Sequence, residues 1–302
     1  IPPVSGWHNN WFKDCMGSPI RSEIWACVAP GAPDIAARYA YQDAICDHAG
    51  GESVYGEVFN AVVESAAFIL SDKYKLIEKG LQAIPASSLT YQAIQYAKDL
   101  HEKGVDWKEA RERVMRKFYH PVAQYSPINM GFQIIGWLYG EDFGDSICKA
   151  VNCGWDTDCT GATVGALQGI IHGASKLPER WMKPLNDQIS TNLSTGGIKN
   201  LNVPTNIQEL TDQVVDMAKQ VLHYWNADVL ICDAETVVPD AERIEVNASW
   251  AENYEPNVIA YDLQSAKVYV EYEAHAAIVG DAPTRLTIRI ENPHPEPVKV
   301  YA

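Results

Sequence analysis

The hydrophobic period of this chain changes once, near Asn226, and that change fixes most of what it can fold into. Before it, apolar residues recur at the spacing of one helix face. After it, Val, Ile, Tyr and Thr alternate with polar residues, as in half-buried strands. Helices are expected over residues 36–46, 56–70, 89–100, 107–118, 129–139, 143–151 and 206–225. The segment 56–70 carries Phe59, Val62, Val63, Ala66, Ala67, Ile69 and Leu70 and predicts a long buried helix. Residues 107–118 mix charged and apolar positions as a surface helix does. Residues 129–139 are nearly all apolar and belong in the core. Strands are expected within 258–273 and 284–301, clearest at 267–272 and 285–290, with turns at Gly280-Asp281 and Asn292-Pro293. The expected fold is mainly α: a compact helical domain over 1–226, then a small β-rich, sandwich-like appendage over 227–302. That appendage is too short for the roughly seven strands of a full sandwich.

No apolar run reaches the roughly 18 residues of a membrane-spanning helix, so no membrane partner is expected. The formal net charge of −15 opposes nucleic-acid binding, which rests on neutralising phosphates with cations. The same acidity also serves solubility. The seven cysteines are odd in number and show no disulfide framework. They read as reduced, buried small side chains and point toward the cytoplasm.

The most informative local stretch is Asn152 to Leu167. Asp156 and Asp158 stand two residues apart at the mouth of an expected helix, with hydroxyls on Thr157 and Thr160. Such an oxygen-rich group suits a hard divalent cation. The other reading of two such aspartates is helix capping. The helix that follows carries Gly161, Ala162, Gly165, Ala166 and Gly169. Each glycine costs a helix about 1 kcal/mol against alanine, so this content implies close backbone approach to a helix or ligand.

The run Gly154-Trp155-Asp156-Thr157-Asp158-Cys159-Thr160-Gly161-Ala162 resembles the signature of the ADP-ribosylglycohydrolase family, in members related to dinitrogenase reductase-activating glycohydrolase. The resemblance implies a magnesium or manganese pair in a complete site, with Asp156, Asp158 and Thr160 as ligands and Gly154 beside the substrate. It implies hydrolysis of a ribosyl bond through an oxocarbenium-like transition state. Asp156 and Asp158 would be ligands first, one of them also orienting the attacking water. The implied ligand is ADP-ribose-like or another carbohydrate, with an ADP-ribosylated protein as a partner.

The similarity covers roughly residues 15–220. The segment 17–31 resembles the family's glycine-rich ligand loop, with Met16 where many members have asparagine. Gly17 and Ser18 offer a backbone N–H and a hydroxyl to an anion, and Arg21 a fork for phosphate. A structural turn with Arg21 in an internal ion pair is the alternative. Asp43-Ala44-Ile45-Cys46-Asp47-His48 and the following glycines resemble the family's Asp-Ala-x-x-x-His helix end. The match places His48 and Tyr55 near ribose or nucleotide; a structural His48 and a packed Tyr55 ring are the alternatives. Pro127-Ile128-Asn129-Met130-Gly131-Phe132 also resembles a family segment.

The family's other metal-binding half, a Gly-Asp-x-x-Gly stretch with an acidic residue and a Thr-Asp-Asp-type triplet, is absent from these 302 residues. The chain is expected to begin after those elements. Without them the alternative function is a binding or structural protein that keeps the fold and lacks catalysis.

Overall fold

A computed structural model describes residues 2–189, 203–233, 246, 258–263, 266–272 and 285–292. Its helices are α1 (Val4–Trp7), α2 (Ser22–Val28), α3 (Pro33–Asp47), α4 (Glu52–Ala67), α5 (Lys73–Gln82) and α6 (Leu89–Glu102). They continue with α7 (Trp107–Phe118), α8 (Ser126–Tyr139), α9 (Phe143–Asn152), α10 (Thr157–His172), α11 (Glu179–Met182) and α12 (Ile207–Tyr224). The protein is mainly α, as its periodicity implies.

Helix α4 forms the centre, buried at every position except Glu52 and Tyr55. Helices α2, α3, α5, α8 and α10 all contact it. Helix α8 is equally central and also packs on α6, α7 and α9. Trp137, Phe59 and Phe132 are the largest fully buried side chains. Burying each contributes on the order of 1.5–3 kcal/mol.

Local chemistry sets the helix ends. Ser88, Asp106, Asp142 and Asn206 each accept a backbone N–H from the first turn of the helix they open. Helix α4 closes at Ala67, short of the expected end at 70, because Ile69 and Leu70 both turn back to the carbonyl of Ala66. Helix α5 was not expected; Asp72 starts it by accepting the N–H groups of Tyr74 and Lys75. Helix α2 occupies part of the segment expected as a ligand loop, after a 3-10 turn at Pro19–Arg21.

Strands β1 (Val258–Leu263), β2 (Ala266–Tyr272) and β3 (Leu286–Glu291) form an antiparallel sheet in that order. Val268 pairs with Tyr261 and Ile290, and Val270 with Ile288, which gathers these apolar side chains on one face; the backbone of Val270 also pairs with Ile259. Among the described residues this is the only sheet, a single antiparallel layer without the second sheet a sandwich has. The expected turn at Gly280-Asp281, residue 273 and residues 293–301 lie outside the described residues. Val246, beyond the expected boundary at 226, packs against the helical core.

Candidate functional site

The motif loop joins α9 to α10. Gly154 at φ 84° and Trp155 at φ 60° reverse the chain within two residues. The Trp155 ring is held edge-on by Phe132 and Tyr119, and its indole N–H donates to the carbonyl of His120 at 3.2 Å. Arg111 donates its Nε–H to the carbonyl of Cys153 at 2.9 Å. These contacts offset the strain of a left-handed tryptophan, on the order of 1–3 kcal/mol.

The loop delivers Asp156 to the N-cap of α10, yet its side chain accepts no capping hydrogen bond. The backbone N–H of Asp156 instead donates to Asn129 Oδ1 at 3.0 Å. The ligand atoms of Asp156, Asp158 and Cys159 lie within 4.8 Å of one another. Asp156 is buried and Asp158 exposed, so the group opens on one side. Burial pushes the Asp156 carboxyl up to about 6; Cys159 draws it back in part, while Asp158 raises it further. Burial and both aspartates push the Cys159 thiol up, so it carries its proton. An uncapped carboxylate crowded by a second one fits a divalent cation, which removes the repulsion between them. Thr160 is buried, and its hydroxyl donates to the carbonyl of Thr157 at 3.3 Å. Its oxygen keeps a lone pair for a ligand role.

The 3-10 turn that carries Arg21 packs against α10, and the second expected group is built around it. Gly17 lies against the imidazole of His48; a β-carbon there would be 2.5 Å from Nε2. The Arg21 fork is already taken: Nη1 and Nη2 donate to the two oxygens of Asp47 at 2.9 and 2.8 Å, and Nε to Asp43 at 2.7 Å. His48 Nδ1 is 2.8 Å from Asp47 Oδ1. Arg21 therefore ties α3 to the ligand-loop segment, the ion-pair alternative of its sequence reading. Ser18 is fully buried and donates to the carbonyl of Ser53 at 3.1 Å, which turns its hydroxyl away from an anion. Tyr55 packs on Gly51 and lines a cleft of about 300 Å³ with Glu52 and Ser88. Gly154 faces Arg111 Nη2, at 3.6 Å from a β-carbon built there.

Cys15 connects the groups. Its carbonyl accepts the Ser53 hydroxyl. Burial, Asp14 and Asp156 push its thiol up to about 11. Sequence reasoning passed over two contributors, Asn129 and Arg111, and read Cys159 as a buried small side chain. Asn129 carried the one available signal, an amide inside a nearly all-apolar helix segment.

A family model described as ADP-ribosylglycohydrolase matches residues 3–224. An uncharacterized protein of Archaeoglobus fulgidus is 27% identical over 178 residues, covering 59% of this chain and 55% of that relative. The chain thus spans about half the length of the curated relative it matches. No solved structure matches the chain.

Proposed function

This chain belongs to the ADP-ribosylglycohydrolase family, and from that premise we propose that it hydrolyses a glycosidic bond at ribose C1 with Mg²⁺ or Mn²⁺ as cofactor. The observation that carries this reading is the uncapped Asp156 carboxylate converging with Asp158 and Cys159. Asp156, Asp158 and Thr160 would hold the ion. A divalent ion in such a site polarises substrate oxygens and lowers the pKa of a bound water. In the reaction the bond from C1 to the leaving group breaks, water oxygen bonds to C1, and the water protons pass to the leaving group and solvent.

The chain's own residues would position the sugar. The Gly17 backbone and His48 face the ligand, with Tyr55 and Gly154 at its edges. Ser18 and Arg21 act one step behind, fixing the loop through Ser53 and Asp47. The ligand is ADP-ribose-like or a related glycoside, and an ADP-ribosylated protein is the macromolecular substrate in this reading. Residues 1–226 would form the catalytic domain and 227–302 an appendage.

A second reading, a ligand-binding protein without catalysis, is favoured by one observation. Among the described residues a single group of acidic and thiol side chains is close enough to hold a metal. A two-ion site needs more carboxylates. The deciding experiment incubates the protein with a mono-ADP-ribosylated peptide and Mn²⁺ and follows free ADP-ribose. Release that disappears in Asp156→Ala/Asp158→Ala supports the enzyme. Metal-dependent ADP-ribose binding with no release supports the binding reading.

A further inference from the structure

A second cleft lies behind the motif loop, between the start of α7 and the end of α9. It measures about 560 Å³ and is lined by Trp107, Lys108, Arg111, Glu112 and Asn152. We propose that this cleft binds a phosphorylated monosaccharide, separately from the metal centre.

The volume falls within the range of small-molecule sites. Each lining group matches one part of such a ligand. Lys108 is exposed, and among the described residues its ammonium has no hydrogen-bond or ion-pair partner; it stands 5.8 Å over the Trp107 ring. In a chain of net charge −15, an unpaired cation in a concave site marks where an anion goes. Arg111 spends Nε on the Cys153 carbonyl and Nη1 on Glu112 at 2.6 Å, while Nη2 has no hydrogen-bond partner among the described residues. Lys108 and Arg111 Nη2 therefore offer two cationic donors to a phosphate.

The remaining lining suits the sugar. Glu112 accepts from hydroxyls, Asn152 both donates and accepts, and the indole of Trp107 supplies an apolar wall for a ring face. Lys108, Arg111 and Glu112 sum to one positive charge, which matches a sugar carrying one anionic group better than a neutral sugar.

The test is calorimetric titration of the full chain, without added divalent cation, using ribose 5-phosphate, ribose and inorganic phosphate. Ribose 5-phosphate is expected to bind at least about tenfold more tightly than either fragment, the worth of one added charge-assisted contact. Lys108→Glu should weaken it by about tenfold or more. That substitution puts an acid in the first turn of α7, which favours the helix. Asn152→Ala, at an exposed position, is the second variant and should weaken ribose 5-phosphate without changing inorganic phosphate. Asp156→Ala/Asp158→Ala should bind like wild type. No binding in wild type, equal affinity for all three probes, or full affinity in Lys108→Glu would overturn the proposal. So would loss of binding in the double aspartate variant, which would place the ligand at the metal centre. Failure of glycoside hydrolysis leaves these outcomes unchanged.

Discussion

The side-chain oxygen of Asn129 accepts the backbone N–H of Asp156 at 3.0 Å, while its amide nitrogen donates to the carbonyls of Ala123 and Tyr125, both at 2.8 Å. One buried amide thus fixes the mouth of α10 to the start of α8. Asn129→Ala leaves one donor and two acceptors unpaired. It should cost about 2–4 kcal/mol in chemical denaturation and weaken Mn²⁺ binding. Unchanged Mn²⁺ affinity would show that Asp156 keeps its place without the amide.

The glycines of α10 divide into two kinds. A β-carbon at Gly161 would sit 2.9 Å from Val151 Cγ2, whereas one at Gly169 meets nothing within 4 Å. Gly169→Ala should therefore stabilise by roughly 0.5–1 kcal/mol through helix propensity and a less free unfolded chain. Gly161→Ala should gain less or lose stability, because Val151 must move. Thermal midpoints of the two variants check the contrast.

Glu57 lies fully buried in α4, and among the described residues neither carboxyl oxygen meets a partner at full hydrogen-bond geometry. Burial first, then the charge of Asp43, pushes it from an ordinary 4.5 up to about 9. The folded protein keeps a proton there that the unfolded chain releases. Its contribution to stability is complete below the unfolded value and is lost as pH rises toward about 9. Glu57→Gln should melt higher than wild type at pH 8 and flatten the fall in midpoint between pH 5 and 9. Parallel pH profiles for the two proteins would refute this.

Much of the fold was legible because apolar spacing decides which face of a helix is buried. Helix α7 falls on 107–118 as expected, and α8 and α9 begin and end within three residues of it. Helix α5 was missed although Asp72 caps its start and Tyr74, Ile77 and Leu81 recur at helical spacing; the segment is short and its charged positions dilute the pattern. The site was legible only in part. Asp156 and Asp158 announce themselves by spacing, but Arg21 and Ser18 look the same in sequence whether they meet a phosphate or Asp47 and Ser53. The partner that settles the matter lies 26 residues away for Arg21 and 35 for Ser18, beyond any local pattern. The partner of Asn129 was equally hidden, 27 residues away at Asp156, although an amide within a nearly all-apolar segment marks Asn129 itself.

The most direct measurement is a calorimetric Mn²⁺ titration of wild type, Asp156→Ala, Asp158→Ala and the double variant at pH 7.5, above the value of about 6 reached by Asp156. Wild type should bind Mn²⁺, each single variant should bind about tenfold more weakly or worse, and the double variant should not bind. Equal Mn²⁺ affinity in wild type and the double variant would contradict the metal centre at the mouth of α10.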